Sequence, residues 1–224
     1  MVKPETFTGR AVATVAVASL ACLALLGIRF ALEREDALGW LAWNLVLAWI
    51  PLGIALAASR CPDAGLRGAL RVPLLACWLL FLPNAPYLIT DLIHLEGRTP
   101  RALGIDIPLF GAFAVTGLLI FLVSLHVVHR LLLAATAPRR AWIAVLACVW
   151  LSSAGMYLGR VLRWNSWDVI DDPLRRLAEL GAHLGDPSSL AVAATFTAGF
   201  AVCLSLAYSG FHGLAGPRRR EPSG

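Results

Sequence analysis

Apolar residues gather in six long runs, at 11–30, 38–58, 72 to about 92, 107–128, 141 to about 162 and 190–211, and most charged residues fall in the gaps between them. Each run is close to the roughly 20 residues that a helix needs to cross a hydrocarbon core about 30 Å thick. Only a helix satisfies its own backbone hydrogen bonds inside lipid without closing into a barrel. The pattern therefore predicts an all-α, polytopic transmembrane bundle of about six spans. The whole chain, 1–224, reads as a single integral membrane domain with no soluble domain, linker or low-complexity segment.

Two departures from this regular pattern matter. The third run is interrupted by Pro83-Asn84-Ala85-Pro86. Each proline removes a backbone donor and crowds the carbonyl four residues earlier, so the third helix is expected to break there. The freed groups need a side chain, water or neighbouring helix to satisfy them, and Asn84 sits where it can do this. After the fifth run, Asp172-Pro173 opens a short segment that closes before Gly185. Asp172 as N-cap and Pro173 at the first helical position predict a helix start. Leu174, Leu177 and Leu184 share one face, as in a short helix lying on the outer membrane surface.

Composition agrees with the pattern. Hydrophobic residues make up 58% of 224 positions and charged residues 15%, against about 25% charged in soluble domains. Mean hydropathy is +0.73. The net charge of +5 does not point to nucleic acid, because the basic residues lie in short clusters between apolar runs, where they set topology. Of the 19 basic residues, 11 fall on the side that carries the N-terminus, namely Lys3, Arg10, Arg60, Arg67, Arg71, Arg130, Arg139, Arg140 and Arg218 to Arg220, and eight on the other, namely Arg29, Arg34, Arg98, Arg101, Arg160, Arg163, Arg175 and Arg176. Both termini are accordingly expected in the cytoplasm, with the chain in a bacterial inner membrane. The five cysteines show no paired spacing and four lie in apolar runs, which excludes a disulfide framework and a zinc site as expectations. Ser19-Leu20-Ala21-Cys22 faintly resembles a lipoprotein cleavage box, but the apolar run continues past Cys22, so this segment is expected to stay as a span.

The chemistry-bearing residues converge on one membrane face. Counting 1.5 Å per residue from Arg140 puts Arg160 about 30 Å away, at the outer interface, where the chain reads Tyr157-Leu158-Gly159-Arg160-Val161-Leu162-Arg163-Trp164-Asn165-Ser166-Trp167-Asp168. Asp91 and His94 on the third helix arrive at the same depth, as does Asn44 on the second. Arg160 and Arg163, three apart, are expected to share a helix face, and Asp91 to pair with Arg160. The candidate ligand-binding set is Asn44, Asn84, Tyr87, Asp91, His94, Arg160, Arg163, Trp164, Asn165, Trp167 and Asp168, with Asp91 and Asp168 the candidates for a catalytic acid or base. Plainer readings stand beside these. Asn84 can be the satisfying amide of a proline kink, Trp164 and Trp167 an aromatic belt, and Asp91–Arg160 a lock between two helices. The density of polar groups in a charge-poor chain is what favours a site.

No fixed metal motif joins Asp91 and His94 to Asp168, Asp171 and Asp172, so no metal is expected. His126, His129 and His212 fall near the inner interface, but haem ligation would need matching histidines at a second depth. No Ser-His-Asp arrangement, P-loop or dinucleotide fingerprint appears, and no cofactor is expected.

Asn44-Leu45-Val46-Leu47-Ala48-Trp49-Ile50-Pro51-Leu52, Leu82-Pro83-Asn84-Ala85-Pro86-Tyr87-Leu88-Ile89-Thr90-Asp91-Leu92-Ile93-His94-Leu95 and the Tyr157–Asp168 stretch together resemble an uncharacterised bacterial membrane-protein family, domain of unknown function 1361, over about 38–208. The resemblance implies a multi-span membrane protein with these segments as its signature and supplies no activity. Three classes stay open: an enzyme or binding protein for an anionic lipid or lipid-linked substrate, a small transporter built on the broken third helix, and a structural or assembly subunit. Membrane lipid is the expected partner and nucleic acid is not. Nothing in the sequence specifies a protein partner.

Overall fold

The computed structural model describes residues 4–33, 38–61 and 69–215. The topology charges Lys3, Arg34, Arg67 and Arg218 to Arg220 lie outside the described residues. The described chain is helical with no strand, and six helices are long and apolar enough to cross a membrane.

In order, the elements are α1 (Pro4–Glu33), α2 (Gly39–Ser59), α3 (Arg71–Phe81), α4 (Asn84–Thr90), a 3₁₀ segment (Asp91–Leu95), α5 (Pro100–Ala135), α6 (Pro138–Val161), α7 (Asp168–Asp171), α8 (Pro173–Leu184) and α9 (Pro187–Ala215). The third span is composite: α3, α4 and the 3₁₀ segment together run from Arg71 to Leu95. Hydropathy locates the apolar part of each span and misses the turns beyond it. The fourth run, read at 107–128, belongs to a helix of 36 residues, about 54 Å long at 1.5 Å per residue. Thr99 caps its start by accepting from Ala102 N–H at 3.4 Å, with Pro100 in the first turn.

Helix α5 is the centre of the bundle and packs against α1, α2, α4 and α6, while α9 packs chiefly on α6. Its side chains Leu109, Phe110, Phe113, Ile120, Phe121 and Leu125 are buried with Leu41, Leu52, Leu82, Leu88 and Tyr208 in one core. Polar atoms inside this core find one another across helices. The Trp78 indole donates to Ser124 at 2.8 Å, the Trp49 indole to Ser19 at 3.0 Å, and Cys22 meets Thr116 at 3.2 Å. Lipid offers no alternative partner, so each pair also fixes the rotation of its helix.

The short helix expected after Asp172 is α8. The Asp172 carboxylate accepts from Arg175 N–H at 3.3 Å with Pro173 in the first turn, and Leu174 and Leu177 are exposed along one side. Asp186 begins α9 in the same manner. It accepts from Ser189 N–H at 2.8 Å and from the Ser188 hydroxyl, and these bonds hold its carboxyl down at about 2.

Candidate functional site

The break in the third span is built as a docking surface. Pro83 has no N–H to offer the Leu79 carbonyl, and in the turn that follows Ala85 N–H bonds back to Leu82 at 3.3 Å instead of to Phe81. The Asn84 amide donates to the Phe81 carbonyl at 2.9 Å, and Ser166, from the segment after α6, donates to the Leu80 carbonyl at 3.3 Å. Asn84 also donates to the Ser166 hydroxyl at 2.9 Å, closing a three-membered network across the two spans. Asn84 thus satisfies the kink, as its position suggests, and also ties α4 to a residue 82 positions away. Glycine makes the approach possible: a Cβ on Gly155 would meet Pro83 Cγ at 2.5 Å, and one on Gly159 would meet Tyr87 Cε2 at 3.2 Å.

Above the break lies a buried ionic centre. Asp91 is 1% exposed, and its carboxylate takes a hydrogen bond from the Asn44 amide at 3.1 Å while the Arg160 guanidinium stands 3.5 Å away. Arg160 is held from several sides. It donates to the Thr90 carbonyl at 2.6 Å and to the Tyr87 hydroxyl at 3.4 Å, and it lies 5.7 Å from the centre of the Tyr87 ring. Helices α2, α4 and α6 therefore meet at one fixed guanidinium, and the expected Asp91–Arg160 pair is present. Asp91 Oδ1 has no hydrogen-bond partner among the described residues and is the oxygen that faces the Arg160 guanidinium.

Arg163 departs from expectation. Helix α6 ends at Val161, and Arg163 adopts a left-handed backbone, φ 57°, after which Trp164 N–H reaches back to the Leu158 carbonyl at 3.3 Å. Arg160 and Arg163 therefore do not share a helix face, because the helix stops between them. A side chain bearing Cβ costs about 1–3 kcal/mol in this conformation. Arg163 is exposed, and no described residue pairs with it. Two guanidinium groups three residues apart thus stand differently: one locked, the other free.

Both line a cavity of about 760 Å³ between α2, α3, α4, α6 and the segment after α6. Of the residues singled out in the sequence, Asn44, Asn84, Tyr87, His94, Arg160, Arg163, Trp164 and Asn165 line it. Asp91 sits behind Arg160 and not in the wall. Asp168 and Trp167 also lie outside the lining. Asp168 accepts from Asn165 N–H at 2.7 Å and stands 3.9 Å from Arg176, which itself packs 5.5 Å from the Trp164 ring. Its carboxylate closes the turn after α6 and ties it to α8. A second tie runs from His183 on α8 to the Tyr157 hydroxyl at 2.8 Å. Ser166, Gly155 and Gly159 line the cavity without having been singled out, although all three fall within or beside the stretch that carries the motif. The rest of the wall is apolar, including Leu47, Leu79, Leu80, Leu151, Leu158 and Val169.

A second ionic centre was hidden by its sequence context. Arg29, counted among the topology charges, is 2% exposed and donates to Asp106 at 2.7 Å; Arg98 donates to the other oxygen of the same carboxylate at 2.6 Å. Asp106 is fully buried just inside α5. An acid at the edge of an apolar run gave no sign of its partner 77 residues away. Asp171 and Asp172 do not gather with Asp91 or His94, and no described group of three His, Cys, Asp or Glu residues is placed to hold a metal ion.

A family model described as a protein of unknown function (DUF1361) matches residues 43–204, which run from within the second span, through the third, fourth and fifth with the cavity and α8, into the sixth. Among curated proteins and solved structures, nothing matches the chain.

Proposed function

The chain belongs to this family of unknown function, DUF1361, and we propose that its cavity binds the head group of an anionic membrane lipid or lipid-linked phosphate. The observation that carries this reading is Arg163, an exposed guanidinium with no partner among the described residues, held in a left-handed turn at the cavity. Guanidinium grips phosphate through paired N–H donors, and a costly backbone conformation that aims such a group is what a ligand site retains. The wall supports the reading because it joins Arg163, Asn84 and Asn165 to Leu79, Leu80 and Leu151, a mix of polar and apolar groups that suits a head group with its chains. In this arrangement Arg160 shapes the site and supplies field, since its own donors are committed to Thr90 and Tyr87. Asp168 is a turn-holding residue. The break at Pro83 is sealed by Asn84, Ser166 and Gly155, which argues for a fixed site over a moving transport helix.

Lipid retained after purification tests this. Arg163→Ala should remove at least most of the enrichment of anionic over zwitterionic lipid that the unsubstituted protein carries, whereas Asp168→Asn should retain it. Equal lipid profiles for Arg163→Ala and the unsubstituted protein would overturn the reading.

The cavity end of the bundle is placed at the periplasmic face of a bacterial inner membrane, on the bias of basic residues. Reporter fusions at Thr99 and Ala178 should read periplasmic and those at Gly65, Ala137 and Gly216 cytoplasmic. The reverse result would put the cavity on the cytoplasmic leaflet.

A further inference from the structure

At the other end of the bundle the tertiary structure assembles three histidines that are dispersed in the sequence. His126 and His129 lie on α5 and His212 on α9, and His212 is centred 5.7 Å from His126 and 4.8 Å from His129. His129 is fully buried and His126 is 6% exposed. Along α6, Trp142 and Arg160 are 18 residues apart, so this cluster stands about 27 Å from the ionic centre of the cavity.

What the imidazoles lack is more telling than what they touch. His126 Nδ1, His129 Nε2 and His212 Nδ1 are buried and have no hydrogen-bond partner among the described residues. The other nitrogen of His129 that faces a neighbour, Nδ1, meets the Tyr208 hydroxyl at 2.7 Å. Buried nitrogens are nearly always satisfied, so three orphans in one cluster single it out from the rest of the bundle. The walls are aromatic. Helix α1 brings Phe7 to His126, α6 brings Trp142 against His129 and His212 at 4.7 and 5.0 Å, and α9 adds Tyr208 and Phe211. Arg130, on α5 itself, sets a positive charge near His126, and no described carboxylate makes a hydrogen bond or ion pair with the three rings. The three are not placed to hold a metal ion.

We propose that His126, His129 and His212 form a proton-binding site that takes up a single proton from water at this end of the bundle. The proton adds to the lone pair of an orphan ring nitrogen, which turns one neutral imidazole into imidazolium and leaves the other two neutral. A second proton is excluded because it would set two cations about 5 Å apart in an apolar surround. Held among aromatic rings and largely away from water, the one charge weakens the seat of α9 on α5 and α6. Proton uptake thereby loosens the last span.

Trp142 is a built-in reporter, because indole emission is quenched by an imidazolium in edge contact. The full chain in lipid nanodiscs, with Trp142→Phe subtracted to isolate this indole from the other seven tryptophans, should lose emission as the medium falls from about pH 8 to about pH 4, with single-proton steepness. His212→Gln and His129→Gln should each reduce the amplitude at least several-fold. Because either variant can disturb folding, ¹⁵N-histidine spectra of the unsubstituted protein give a second reading: one of the three cluster imidazoles should convert to the doubly protonated form. Emission and spectra that stay constant over that range overturn the proposal. A two-proton step overturns it as well, and so does quenching at neutral pH that a chelator removes, which would make the occupant a metal ion.

Discussion

Gly117→Ala is expected to destabilise the protein by about 1–3 kcal/mol, and Gly117→Val to leave little that folds. In isolation the first change should do the opposite, since alanine is favoured over glycine within a helix by about 1 kcal/mol. Tertiary contact decides the sign. A Cβ on Gly117, at the middle of α5, would come within 2.4 Å of the Ala85 carbonyl oxygen and 2.9 Å of Leu88 Cβ. Both obstacles are backbone or next to it, so a rotamer change cannot relieve them and α4 has to move. Moving α4 displaces the Asn84–Ser166 network and the carbonyl of Thr90 that holds Arg160. The control lies on the same helix: a Cβ on Gly111 would meet nothing within 4 Å, so Gly111→Ala should be neutral or slightly stabilising. Thermal unfolding in detergent compares the two. Equal behaviour of Gly117→Ala and Gly111→Ala would mean that α4 and α5 are not in this close contact.

The second large effect belongs to the buried ionic centre, and it should be asymmetric. Arg160→Ala strands a carboxylate that is 1% exposed, with Asn44 as its one remaining donor. Breaking a buried pair from one side costs about 3–5 kcal/mol. Asp91→Asn should cost less, because a neutral amide still accepts from Asn44 and Arg160 keeps the Thr90 carbonyl. The double variant should lose clearly less than the two single losses added, since the stranded charge is gone. Strict additivity of the three melting shifts would show that Asp91 and Arg160 do not interact. Either single variant should also disturb the cavity wall, whereas Arg163→Ala removes charge from the same cavity with little effect on melting.

Much of the architecture was legible in local chemistry. Run length announced six spans because the bilayer sets one length for all of them. Pro83 and Pro86 announced the break because a missing N–H is a local fact. Asp172-Pro173 announced α8 because a cap acts within three residues. The level of Asp91, Asn44 and Arg160 followed from counting rise per residue. Counting failed at Arg163, where it assumed that α6 continues. The residues themselves carry no glycine or proline at that stop, and the left-handed turn leads directly into the Asn165–Asp168 bond and the docking of Ser166 on α3.

What the sequence by itself determined is thus the helical class, the number and approximate extent of the spans, the broken third span and the face on which polar groups collect. All of these arise from hydrophobicity, ring constraints and capping, whose reach is one turn of helix to one bilayer. Which polar group meets which was decided by the tertiary structure alone. Arg29 finds Asp106 across 77 positions, Asn84 finds Ser166 across 82, and His129 finds Tyr208 across 79. Hydropathy gives each helix a depth and says nothing of its rotation or neighbours. Those follow only when close-packed surfaces, such as Gly117 against Ala85 and Gly155 against Pro83, select one arrangement of helices and bring the buried polar atoms to the partners that lipid cannot supply.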